Sequence, residues 1–246
     1  MKIDQRDADA ALGGEVHSHS SWMLPAVLLV VAAAIAAGVF IYLTGPTVEE
    51  LQGNTPSPTA ATETADIRID GVLFRVPASF TRFRRGRSSG DQDSVEMHAL
   101  LPNLAPWSPR DAAAFEDTSP NSRALHFTLA IDRAPLPYQE KFERGIRPRA
   151  DNPDGQLGPF GLTTYKFSPG TGYENTDFFS AQLADGSQYV VRCDASANPA
   201  FGTSCMRVLR LPDNVGLTYK FRRAHLAQWK EIDAGVLGLI QSFRRK

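Results

Sequence analysis

Residues 22–42, WMLPAVLLVVAAAIAAGVFIY, carry no charge, and no Asp, Glu, Lys or Arg occurs between Glu15 and Glu49. A water-soluble fold can bury such a run only if a large domain surrounds it on every side. As a helix, these 21 residues rise about 31 Å, the thickness of a bilayer's hydrocarbon core. Trp22 and Tyr42 bracket the run, where amphipathic rings favour the membrane interface. Pro25 falls in the first turn, where its missing N–H leaves no helical bond unmade. A cleavable signal peptide has a basic leading region and a shorter apolar core. Here Lys2 and Arg6 are outnumbered by Asp4, Asp7, Asp9 and Glu15. The sequence therefore reads as a membrane anchor over residues 22–44, preceded by a short polar tail, 1–21, on the cytoplasmic side. Two cations precede the apolar run and none follows it until Arg68, which points to an exported carboxy-terminal part.

The two cysteines, Cys193 and Cys205, bear on the same question. They sit at the inner ends of strand-like runs, 187–192 and 206–211. Pairing those runs as a hairpin brings the cysteines within the short reach of a disulfide. A zinc site needs about four ligands, and the residues between offer only Asp194. A redox pair is spaced C-x-x-C. A disulfide between Cys193 and Cys205 is the expectation, and such bonds persist in oxidising compartments. Arginine (20) exceeds lysine (6) in an alanine-rich chain, a usage typical of GC-rich bacteria. The expected location is then the bacterial inner membrane, with the domain in the periplasm.

After the anchor, residues 45–65 are rich in Pro, Thr and Ala with no aromatic side chain, so they bury nothing and read as a flexible linker. Residues 66–246 read as one globular domain with 24 Lys and Arg against 20 Asp and Glu. Asp70-Gly71 and Asp185-Gly186 each separate two apolar-alternating runs, the strongest short hairpin signal. A third hairpin turns around residues 212–215. Val95, Met97, Ala99 and Leu101 alternate, as do Leu125, Phe127, Leu129 and Ile131; one-sided alternation marks an antiparallel sheet with a single packed face. Residues 224–243 place Leu226, Trp229, Ile232, Val236, Leu239, Ile240 and Phe243 at helical spacing. A shorter helix is expected over 138–145, with Gly145 as its cap. The fold class is α+β: a mostly antiparallel sheet of seven or eight strands with a carboxy-terminal amphipathic helix packed on it.

No phosphate loop, dinucleotide-binding glycine pattern, H-E-x-x-H or nucleophile elbow is present, so no catalytic residue and no cofactor is assigned. Two weaker patterns stand out. Glu96 and His98 share the polar face of one strand and His126 that of another; if the strands are neighbours, these three form a candidate two-histidine, one-carboxylate metal site. Phe80, Arg82, Phe83, Arg84, Arg85 and Arg87 form a basic, aromatic stretch before a Gly/Ser turn, a candidate contact surface for phospholipid headgroups or an acidic partner. With its tether, this stretch and the absence of catalytic motifs, the chain reads as a binding module or accessory subunit of a cell-envelope complex, with a membrane or periplasmic protein partner, the bilayer engaged through the apolar run, and no nucleic acid. An envelope hydrolase acting on cell-wall or lipid material and a periplasmic immunity-type protein are the alternatives.

Overall fold

A computed structural model describes residues 22–44, 52–195 and 203–245. The tail with His17 and His19, residues 45–51 of the expected linker and Lys246 lie outside the described residues. The chain divides into two units, 1–48 and 49–246. In the first, helix α1 (Met23–Thr44) is long and apolar enough to cross a membrane.

In the second unit, β1 (Thr64–Ile69) and β2 (Val72–Pro77) form a hairpin with Ile69 opposite Val72. Asp70 and Gly71 take φ of 49° and 81° at its tip, the two left-handed positions that a type I′ turn requires. β3 (Gly90–Asp91) joins parallel to β1, giving a three-stranded sheet. Eight further strands make one antiparallel sheet: β4 (Ser94–Leu100), β5 (Ala124–Ile131), β6 (Gln156–Leu157), β7 (Thr163–Tyr165), β8 (Thr176–Gln182), β9 (Gln188–Asp194), β10 (Ser204–Arg210) and β11 (Val215–Arg222). Their order is β4-β5-β11-β10-β9-β8-β7-β6. Short helices α2 (Ala112–Glu116) and α3 (Tyr138–Lys141) lie between strands, and α4 (Trp229–Phe243) ends the chain. The α+β architecture matches the sequence expectation, with the first hairpin set apart as its own small sheet.

The main core fills one face of the large sheet. Met97, Leu125, Phe127, Leu129, Val191 and Leu217 pack there with Ile67, Phe74 and Val76 of the small sheet and with Trp229, Ile232, Val236, Ile240 and Phe243 of α4. Each fully buried side chain of this size contributes roughly 1.5–3 kcal/mol by leaving water. The expectation of a single packed face needs correction. Phe142, Ile146, Tyr165, Phe167, Phe178 and Val190 form a second apolar cluster. Its cause is visible in consecutive apolar pairs, Phe178-Phe179 and Val190-Val191, which must bury both faces of a strand. The short helix also differs: α3 widens into a π-helical turn, Phe142–Ile146, that takes in Gly145 rather than ending at it. That turn carries Phe142 and Ile146 together into the second cluster.

The globular unit begins before residue 66. β1 starts at Thr64, and the Ser57 N–H donates to the Arg82 carbonyl at 3.0 Å. Gly53 is buried, and a Cβ there would lie 3.0 Å from the Arg85 nitrogen. Residues 52–65 hold to the domain by backbone hydrogen bonds and close approach, which composition does not register.

Candidate functional site

β4 and β5 pair with Val95 opposite Leu129, Met97 opposite Phe127 and His98 opposite His126. The inward residues of both strands enter the main core, so the two histidines share the opposite face, and directly opposed Cβ atoms in such a ladder lie about 5 Å apart. That face is covered at this end. Phe115 of α2 lies over His98 with ring centroids 4.6 Å apart, and His98 is only 4% exposed. His98 Nε2 and His126 Nδ1 are buried with no hydrogen-bond partner among the described residues.

Above the imidazoles opens a cleft of about 510 Å³. Its lining includes the cations Arg82, Lys220 and Arg222, the rings of Trp107 and Phe115, and Pro56 and Pro58. Arg222 is braced by donating to the Thr118 carbonyl at 2.9 Å and the Ser204 hydroxyl at 3.3 Å. Glu116 and Asp117 also border the cleft. The Asp117 carboxylate is held below its ordinary range by hydrogen bonds from the Ser119 backbone and hydroxyl, then by the charge of Arg222. The floor is electropositive. Burial, then neighbouring His126, Arg82 and Arg87, lowers His98 to about 4. Burial, then Arg82, Arg222 and Lys220, lowers His126 to about 4. Both rings are neutral at pH 7 and titrate too far from it to shuttle protons efficiently there. The inventory suits recognition by charge and apolar contact.

The proposed metal set does not close. The structure brings His98 and His126 together as neighbours, but Glu96 is engaged by Arg85 at 2.8 Å. Among the described residues no group of three His, Cys, Asp or Glu is placed to hold a metal ion.

The basic stretch also resolves into separate roles. Phe80 is a core residue against Phe243, centroids 5.3 Å apart, and is unavailable as contact surface. Arg87 donates to the Thr81 hydroxyl at 2.9 Å and to the Ser57 carbonyl. Arg85, besides binding Glu96, donates to Asn54 Oδ1 at 3.0 Å. These two arginines fasten residues 54–57 to the domain. Arg82 and Arg85 each approach the Phe83 ring, at 5.1 and 5.4 Å. Arg84 is exposed, and of the six only Arg82 lines the cleft. Sequence reading missed Lys220, Arg222, Trp107 and Phe115. A signal existed for the first two: they alternate with the buried Tyr219 and Phe221 along β11.

Two sheet edges are partly covered. The outer edge of β4 is covered where the Arg82 N–H donates to the Glu96 carbonyl at 3.1 Å, and that of β2 where Arg245 N–H donates to the Leu73 carbonyl at 2.9 Å. The cysteines lie directly opposite in β9 and β10, at disulfide distance, with Cα atoms 4.0 Å apart.

No family model matches the sequence, and no curated protein matches it. A solved structure does: Smlt3025, described as an immunity protein of the Stenotrophomonas maltophilia type IV secretion system, superposes with a TM-score of 0.55 at 18% identity, over 75% of this chain and 94% of that one. At this identity the likeness is one of fold.

Proposed function

We propose that this chain is an immunity-type protein. Its α1 helix anchors it in the inner membrane, and its periplasmic domain binds and silences a toxic protein delivered into the envelope. The observation that carries this reading is the shared fold with a protein described as a secretion-system immunity protein, which spans nearly the whole of that chain. The cysteine pair and the apolar helix agree with an exported, tethered domain. The cationic cleft, with imidazoles neutral at physiological pH, serves as the contact site for the toxin. This is the protein-binding reading of the sequence made specific.

The test is survival. Deleting the chain from its native host should leave cells that die in coculture with armed siblings carrying the parental secretion system. A plasmid copy should restore survival, and a copy lacking residues 22–44 should not. Equal survival of deletion and parent strains would reject the proposal.

A further inference from the structure

Arg82, Lys220 and Arg222 converge on one cleft. Two carboxylates, Glu116 and Asp117, border the same cleft, and Asp117, bonded to the neutral Ser119 at 2.8 and 3.0 Å, stays ionised, so three cations face two anions. Arg82 and Lys220 form no ion pair among the described residues. Beneath them lies His98, 96% buried by its 4% exposure, with Nε2 lacking a partner.

We infer that the cleft receives an acidic segment of the partner protein, which places carboxylates between Arg82, Lys220 and Arg222 and against the His98–His126 floor. This rests on the reading above that the domain binds a protein. Charge complementarity selects the carboxylates. The Trp107 and Phe115 walls and the Pro56 rim select a peptide, because a bare inorganic anion leaves those apolar surfaces uncovered. An anion bound there opposes the cationic field and bonds to an imidazolium, so it raises both histidines towards their ordinary value of 6.5. Binding therefore takes up protons. The groups facing the pair are Arg82 and Arg87 from the basic corner, Lys220 and Arg222 from β11, and Glu116 and Asp117 beside α2.

The experiment uses the full chain in detergent micelles, titrated calorimetrically with a synthetic peptide alternating glutamate and phenylalanine. The same peptide with glutamine replacing glutamate and phosphatidylglycerol vesicles serve as the other arms. The glutamate peptide should bind and the glutamine peptide should not. Affinity should rise from about pH 7.5 to about pH 5.5, by up to roughly tenfold for each histidine brought back to its ordinary value, and the histidine NMR signals should move to the protonated form on binding. Arg82→Glu and Lys220→Glu should each weaken binding about tenfold or more, one such loss being a lost charge-assisted contact. Lys220→Gln, at an exposed position, should weaken it less and keep the parental melting curve. Equal binding of the two peptides overturns the assignment, as does preference for the vesicles or indifference to both cleft charges. The coculture assay separates the two ideas. Full protection by an Arg82→Glu, Lys220→Glu chain sinks the cleft assignment and leaves the immunity reading standing. Peptide binding together with unchanged survival of the deletion strain does the reverse.

Discussion

The buried His98 and the half-buried His126 face each other across β4 and β5 as a neutral pair, and this sets the acid behaviour of the domain. Both ionise near 4 in the folded chain against 6.5 when unperturbed. Between those values the unfolded chain binds more protons, so stability is present at neutral pH and falls as the pH falls. Each histidine accounts for about 3 kcal/mol at most over that window. The melting temperature should drop steadily from about pH 6.5 to about pH 4, and His126→Gln should flatten that slope. A slope unchanged by the substitution would contradict the burial argument. Strand parity read from sequence places Glu96, His98 and His126 on one polar face. That this face is covered by Phe115 is invisible locally, because nothing in the 112–116 stretch announces which histidine it shelters.

Among the elements, α4 is the one whose packing was most legible: Trp229, Ile232, Val236, Ile240 and Phe243 fall on one stripe and all are buried. Asp233 interrupts that stripe and is 4% exposed. It forms an ion pair with the equally buried Arg207 of β10 and accepts a bond from the Tyr219 hydroxyl of β11 at 2.8 Å. Arg207 also lies over the Tyr189 ring, 4.3 Å from its centroid. These contacts fix the helix on the sheet. Asp233→Ala strands a buried guanidinium and should lower unfolding stability by about 3–5 kcal/mol, whereas Arg207→Met with Asp233→Leu should recover most of that loss. Chemical denaturation of the two variants decides it, and equal midpoints for the single and double variants would refute the argument. The β6–β7 hairpin supplies a second case. A Cβ at Gly158 would lie 2.0 Å from Thr164 Oγ1 and 2.8 Å from the Leu162 carbonyl. Gly158→Ala should therefore cost about 1–3 kcal/mol by overpacking, read as a lowered denaturation midpoint.

For the whole molecule, the Cys193–Cys205 link closes a sequence separation of 12 residues, and removing it should cost roughly 3 kcal/mol in the chain-entropy view. Cys193→Ala with Cys205→Ala should lower the thermal midpoint, and treating the parent with reductant should reproduce that shift. An unshifted midpoint under reductant would mean the pair adds no stability. A carboxy-terminal alkaline phosphatase fusion should be active in cells, as an exported domain requires; an inactive fusion would reverse the topology. The sequence by itself determined the apolar helix, the hairpins at Asp70-Gly71 and Asp185-Gly186, the antiparallel α+β class and the stripe of α4. Each of these is written in neighbours a few residues apart, through turn geometry, period-two alternation or helical spacing. Only the tertiary structure decided that residues 52–65 join the domain, that both faces of the large sheet are packed, that Arg207 meets Asp233, and that Arg82, Lys220 and Arg222 meet above His98 and His126. Those contacts join residues far apart in the chain, and a local pattern fixes which face a side chain takes without fixing what it meets there.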